Sequence, residues 1–171
     1  MKKKKYLIVG LIIVIGLVVD LATKSIFANV LEYGAKDIVL IPNFLTFTYI
    51  ENDGAAYGML GGRTWLLIVV TILFIIAFVC YFVFSKTDNL WHNIGIGLIL
   101  SGAIGNFVDR IFFQGIVRDF IHLKLFDFVF NFADMYITFG VIFFGIYAII
   151  EMIQEIKEKK EKNKTDGSED K

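Results

Sequence analysis

The sequence is poor in the residues that form disulfides, metal sites and turns: 171 residues include one cysteine, one proline and two histidines. The single cysteine, Cys80, excludes an internal disulfide. His92 and His122 are far apart in the sequence and have no cluster of further ligands beside them, which argues against a zinc site. The formal net charge is +0, so no excess of positive charge favours nucleic acid. We therefore expect no metal or other cofactor and no nucleic-acid partner.

What the sequence has in excess is apolar surface. Hydrophobic residues make up 57% of the chain, more than a soluble core of this size can bury. A membrane-spanning helix needs about 20 mostly apolar residues, and such stretches occur at about 6–27, 64–84, 89–110 and 133–153. They predict one integral membrane domain, residues 1–156. Residues 157–171 form a charged tail that we expect to be disordered in the cytoplasm.

The first apolar stretch has two interpretations. Lys2 to Lys5 precede an apolar run that ends at Val19, as in a secretory signal peptide. However, no small-residue cleavage site follows directly. Asp20 and Lys24 come next, four residues apart on one helical face, where they can pair. We therefore favour a retained span over a cleaved signal.

Lysines at both ends of the chain predict its orientation. Because lysine-rich segments stay on the cytoplasmic side, four spans place both termini inside and the links at about 28–63 and 111–133 outside. From Leu45 to Tyr49 apolar residues alternate with threonines, which predicts a short strand. Gly61–Gly62 predicts a turn before the second span. The predicted fold is an all-α membrane protein with four transmembrane helices and a small extracytoplasmic β-sheet on the membrane surface.

The polar residues that interrupt the spans all fall at the predicted outer ends. They are Asp20 and Lys24 in the first span, Asn106, Asp109 and Arg110 in the third, and Asn131 and Asp134 in the fourth, with residues 51–54 before the second. Ionisable residues inside a membrane are costly and usually functional. Their convergence therefore indicates a functional site at this face.

Carboxylates dominate the chemistry of such a site, because the sequence offers no suitably placed Cys–His or Ser–Lys pair. Two close carboxylates share a proton and can act as general base and general acid. Which two meet is left open among five acids: Asp20, Asp109, Asp119, Asp127 and Asp134. Lys24 beside Asp20, and Arg110 beside Asp109, predict structural ion pairs for these two acids. A small proton-coupled transporter and a structural membrane subunit are the alternative functions.

Five segments in order resemble the bacterial lipoprotein signal peptidase family, also called signal peptidase II. They are D-L-A-T-K at 20–24, N-D-G-A-A at 52–56, G-N-F-V-D-R at 105–110, V-R-D-F at 117–120 and F-N-F-A-D at 130–134. The resemblance implies an aspartic endopeptidase of the bacterial cytoplasmic membrane. Such an enzyme cuts prolipoproteins just before a cysteine that carries diacylglycerol. We expect it to work as a monomer among membrane lipids.

Residue by residue, the resemblance implies that Asp119 and Asp134 are the catalytic pair, with Asp127 as the rival for the first acid. It implies a larger set of substrate-binding and supporting residues. Substrate binding is expected from Asn52, Asn106, Arg110 and Asn131, and support from Asp20, Lys24, Asp109, Gly54 and Ala55. Arg118 stands where a small apolar residue is commoner in the family, and the interval from Asp119 to Asp134 is short.

Overall fold

The computed structural model describes residues 2–31, 36–54 and 63–169. These residues form long helices and two pairs of short strands. The helices are α1 (Lys2–Val30), α2 (Thr64–Phe84), α3 (Leu90–Phe112) and α4 (Phe132–Glu169). The strands are β1 (Ile38–Ile41), β2 (Leu45–Asn52), β3 (Val117–Leu123) and β4 (Phe128–Phe130). The turn predicted at Gly61–Gly62 lies outside the described residues.

Within the described residues, four helices are long and apolar enough to cross a membrane, which confirms the predicted spans. In α3, 67% of the apolar stretch is buried, against 17% in α1 and 11% in both α2 and α4. The helix α3 is therefore the inner one, and the exposed apolar sides of the others are suited to face lipid. A small apolar core between α1, α2 and α3 contains Val9, Phe82, Ile96 and Leu100.

Glycines let α3 and α4 approach closely. A Cβ atom added at Gly95 would lie 2.8 Å from the backbone nitrogen of Phe144, and one added at Gly102 would collide with the carbonyl oxygen of Ala133. Small residues at such positions allow two membrane helices to pack at short distance. This contact brings the C-terminal end of α3 against the first turn of α4, where several of the predicted site residues lie.

The strands form one antiparallel sheet in the order β1-β2-β3-β4. The strand predicted at Leu45 to Tyr49 is confirmed and extends to Asn52. In the register between β2 and β3, Asn52 pairs with Val117, Glu51 with Arg118 and Ile50 with Asp119. The sheet thereby joins the two longer links of the chain, between α1 and α2 and between α3 and α4, and brings Asn52 beside Asp119.

The last helix continues into the charged tail. The structure extends α4 to Glu169. Lysine and glutamate are good helix formers, and glutamates four residues before lysines, such as Glu155 and Lys159 or Glu158 and Lys162, support a solvated helix. The disorder expected from residue 157 onward stays a prediction.

Candidate active site

The predicted polar residues do converge, and most of them are buried. The relative exposure is at most 8% for Asp20, Lys24, Asn106, Asp109, Asp119 and Asn131. We call these six residues, together with Asp134, the polar cluster. Buried polar groups are costly unless they are hydrogen-bonded or paired. The contacts within the cluster therefore decide its chemistry.

Asp119 lies on the central strand β3 and accepts hydrogen bonds on both carboxylate oxygens. Asn52 Nδ2 donates to Oδ2 at 2.9 Å, and Asn131 Nδ2 donates to Oδ1 at 2.5 Å. The first donor comes from the neighbouring strand and the second from the residue that precedes α4. The Asp119 carboxylate is thus held where the sheet meets the helices.

Asp134 lies in the first turn of α4 and takes part in a reciprocal cap with Asn131. The Asp134 backbone N–H donates to Asn131 Oδ1 at 3.1 Å, and the Asn131 backbone N–H donates to Asp134 Oδ2 at 3.1 Å. This is the geometry of a capping box, with aspartate in place of the usual glutamate. The positive end of the helix dipole also favours a negative charge at this position. The cap therefore fixes the Asp134 carboxylate.

Asn106 connects Asp134 to the charged part of the cluster. Lys24 Nζ donates to Asn106 Oδ1 at 2.8 Å, and Asn106 Nδ2 donates to Asp134 Oδ1 at 2.8 Å. Because an ammonium can only donate, it determines which end of the amide faces it. The other end of Asn106 must then present its N–H group to Asp134.

The same logic orients the other two amides. The Gly54 N–H donates to Asn52 Oδ1 at 3.0 Å, which leaves Asn52 Nδ2 for Asp119. The Asp134 N–H occupies Asn131 Oδ1, which leaves Asn131 Nδ2 for Asp119. Three asparagines thus present fixed amide donors to two carboxylates, and Asn131 contacts both.

Behind these amides lies a buried network of ions. Lys24 Nζ is 2.8 Å from Asp20 Oδ2, which confirms the predicted pair, and 3.6 Å from Asp109 Oδ2. Asp20 Oδ1 also accepts the backbone N–H of Ala133 at 2.9 Å. The first helix is thereby tied to α3 and to the first turn of α4.

The predicted pair between Asp109 and Arg110 is wrong. Asp109 instead pairs with Arg118, whose Nη2 lies 2.7 Å from Asp109 Oδ1. Adjacent residues on a helix point about 100° apart and do not face each other. Arg110 turns toward the loop after β2, where its Nη2 donates to the carbonyl oxygen of Gly54 at 3.0 Å.

The two predicted catalytic acids line one cavity of about 250 Å³. Four more of the predicted site residues line this cavity: Asn52, Gly54, Asn106 and Arg110. Asp127 lines only a neighbouring cavity, which Asp119 also lines. Its carboxylate contacts His122 Nε2 at 3.1 Å and is 94% exposed. Ala55 lies outside the described residues.

Burial and the neighbouring negative charge of Asp134 raise the pKa of Asp119 to about 7, against a lowering effect of the hydrogen bonds from Asn52 and Asn131. A carboxyl group with such a pKa keeps its proton near neutral pH. The cavity can therefore hold one ionised and one protonated carboxyl, an arrangement that suits general base and general acid catalysis.

Arg118 is the site residue whose partner the sequence did not reveal. It is a buried cation in the apolar strand V-R-D-F-I. Because an unpaired buried charge is strongly destabilising, that setting is itself a signal that an acid lies nearby. The identity of the acid, nine residues earlier and across a loop, required the structure.

The chain resembles known proteins in sequence and in fold. The family model for signal peptidase (SPase) II matches residues 12–150. A lipoprotein signal peptidase of Staphylococcus haemolyticus is 38% identical over 84% of this chain and 92% of the relative, and one of Clostridium novyi is 39% identical over 82% and 97%. A bacterial membrane enzyme solved by the in meso method at 2.3 Å has 37% identity and a TM-score of 0.76, covering 88% of this chain and 90% of its own. These matches do not favour the transporter alternative. The chain belongs to the signal peptidase II family.

Proposed function

We propose that Asp119 and Asp134 are the catalytic pair with which this membrane aspartic protease removes signal peptides from prolipoproteins. The observation that carries the assignment is that Asn131 holds both carboxylates at one cavity, through its side chain for Asp119 and its cap for Asp134. The family assignment supports the reaction class. The raised pKa of Asp119 supports the sharing of one proton by the pair.

The reaction needs no covalent intermediate. The ionised carboxylate takes a proton from water while the water oxygen attacks the scissile carbonyl carbon. The protonated carboxyl donates a hydrogen bond and then its proton to the carbonyl oxygen, giving a tetrahedral diol. The diol collapses as the amide nitrogen takes the proton from the carboxyl that was protonated by water and one diol hydroxyl gives its proton to the other carboxylate, so that the C–N bond breaks and the amine leaves. The pair returns to its starting state with one proton.

The other cluster residues have supporting roles in this proposal. Asn52, Asn106, Arg110 and Asn131 bind the peptide around the scissile bond. Asp20, Lys24, Asp109 and Gly54 hold those residues in place, and the support expected from Ala55 stays a prediction from the sequence. The Arg110 guanidinium connects the substrate-binding residues to the supporting residues. It lines the cavity and also donates to the Gly54 carbonyl oxygen at 3.0 Å.

The substrate of the proposal carries diacylglycerol on the cysteine that follows the scissile bond. The cavity lies where the sheet meets the ends of membrane-spanning helices, so acyl chains attached to the peptide can remain in the bilayer. Burial of each CH₂ group contributes about 0.8 kcal/mol, so two acyl chains strongly favour a substrate held at the membrane. We propose that the enzyme acts as a monomer, without a metal.

The proposed orientation follows the charge of the termini. Lysines at both ends of the chain place them in the cytoplasm of a bacterial cell. The sheet and the polar cluster then lie at the extracytoplasmic face of the cell membrane. A prolipoprotein that is inserted by its signal peptide would present its cleavage region at that face.

Cleavage of a synthetic lipidated prolipoprotein peptide tests the proposal, with mass analysis of the products. We expect one cut before the modified cysteine, and poor cleavage of the same peptide with an unmodified cysteine. Asp119→Asn and Asp134→Asn should each abolish turnover while the protein still accumulates in membranes, because an amide keeps the shape but cannot act as a base.

Asp127→Asn is the matched control, since this acid lies in the hairpin turn outside the shared cavity. Retained turnover in Asp119→Asn, together with a complete loss in Asp127→Asn, would move the first catalytic role to Asp127. Full turnover in Asp134→Asn would contradict the catalytic pair altogether.

A further inference from the structure

The arginine before Asp119 makes an unusually complete contact with a buried acid. Arg118 is 6% exposed. Its backbone N–H donates to Asp109 Oδ2 at 3.0 Å, its Nε donates to the same oxygen at 3.2 Å, and its Nη2 donates to Oδ1 at 2.7 Å. Contact of a planar guanidinium with both oxygens of a carboxylate fixes geometry as well as charge. Strand β3 is thus fastened to the outer end of α3.

A second anchor follows Asp119 on the same strand. The ring of Phe120 stacks on Phe27 of α1 with a centroid distance of 4.4 Å and contacts Phe132 of α4 at 5.9 Å. Side chains alternate between the two faces of a strand. Arg118 and Phe120 therefore point to one face and Asp119 to the other. Fixing the two neighbours sets the direction of the Asp119 carboxylate.

Arg118 also balances the buried charge behind the catalytic pair. Asp20 and Asp109 carry two negative charges, and Lys24 and Arg118 carry two positive charges, in one network of contacts. Among the described residues, the other charged or titratable groups that face this network are Tyr49 and Glu51 on β2, Asp119 on β3, Arg110 on α3, and Asp134 and Tyr136 on α4. Removal of Arg118 would leave one buried carboxylate unbalanced near Asp119.

We propose that Arg118 is a positioning residue for Asp119, which aims the catalytic carboxyl through the bond to Asp109 and completes the neutral ion network behind it. This inference rests on the proposed function. Arg118 is not among the residues that line the cavity of about 250 Å³. It lines a different cavity, beside Tyr49 and Glu51, so we assign its effect on the reaction to the position of Asp119 and not to contact with the scissile bond.

The test compares Arg118→Gln and Arg118→Lys with the wild type in cleavage of the lipidated peptide across pH, at equal amounts of inserted protein. Arg118→Gln should lower kcat by about tenfold to a hundredfold, since misplacement of a reacting group by about 1 Å has effects of that order, while KM changes little. Loss of the buried cation makes the surroundings more negative, so both limbs of the rate–pH profile should move to higher pH. Arg118→Lys keeps the charge, so its limbs should stay in place while kcat is reduced.

Lys124→Gln is the matched control, because it removes an exposed cation from the same hairpin and should leave kcat and the profile unchanged. A merely structural role predicts lower protein levels and an unshifted profile. An Arg118→Gln profile that superimposes on the wild type after scaling, or an unchanged kcat, overturns the proposal. If Arg118→Gln does not accumulate in membranes, Arg118→Lys provides the test. A shift of its rate–pH profile to higher pH, or a kcat equal to that of the wild type, overturns the proposal. A wild-type protein that does not cut the peptide contradicts the proposed function instead.

Discussion

Substitution of Asn131 by aspartate separates the two tasks of this residue. Asn131 caps α4 through its Oδ1, which accepts the Asp134 N–H, and it donates through Nδ2 to Asp119 and Asn106. Aspartate and asparagine are equally good helix N-caps. Asn131→Asp therefore keeps the cap and replaces the donor with a negatively charged oxygen that faces the Asp119 carboxylate.

The size of the effect follows from the lost bond. A hydrogen bond to a charged group contributes about 1.5–3 kcal/mol, and the one from Asn131 to Asp119 is short, at 2.5 Å. If the bond supports the arrangement in which water is activated, its loss lowers the cleavage rate roughly 10- to 150-fold, since about 1.4 kcal/mol corresponds to a factor of ten. Repulsion between the new carboxylate and Asp119 increases the loss.

The assay is the cleavage rate of lipidated peptide per inserted protein, with thermal unfolding in detergent measured in parallel. Asn131→Asp should lose activity with the cap kept, and its buried carboxylate, unpaired beside Asp119, should also lower thermal stability. Asn131→Ala should lose activity and also about 1 kcal/mol of stability, because it removes the cap. Near wild-type cleavage by Asn131→Asp would refute the idea that this amide orients the catalytic pair.

Three further predictions follow. Since burial raises the pKa of Asp119 to about 7, the acid of the pair loses its proton as pH rises through that value, so cleavage should decline above neutral pH; a flat alkaline profile would argue against it. Gly105→Ala places a Cβ 2.5 Å from Asp20 Oδ2 and should cost about 1–3 kcal/mol by overpacking, whereas Gly145→Ala, with nothing within 4 Å, should be neutral in the same thermal assay. Reporter fusions after Lys36 and after the last residue should give opposite signals, and matching signals would contradict four spans.

The features that could be predicted from the sequence are those set by local pattern. Hydropathy over about 20 residues determined the four spans. Helical spacing determined the pair of Asp20 and Lys24, which lie on adjacent turns. Alternation determined β2, although not its full length. Each depends on residues close together in the chain, so a single sequence contains enough information.

The features that could not be predicted join distant segments. Asn52 meets Asp119 across 67 residues because β2 pairs with β3, and no local pattern encodes that register. Asp109 pairs with Arg118 instead of its neighbour Arg110, because the strand returns the arginine to the end of α3. Proximity in sequence favoured Arg110 as the partner of Asp109. However, the side chains of adjacent residues on a helix point in different directions.

The helical cap at Asn131 and Asp134 has a consequence for biosynthesis. Asp134, the proposed second catalytic acid, acquires its place only when the last span is helical, and the Ala133 N–H of that span's first turn binds Asp20 of the first span at 2.9 Å. A nascent chain with three spans in the bilayer has Asp119 but lacks Asp134 and the Asn131 amide that binds Asp119. If these two acids are the catalytic pair, proteolytic activity begins only when the final helix docks against the first.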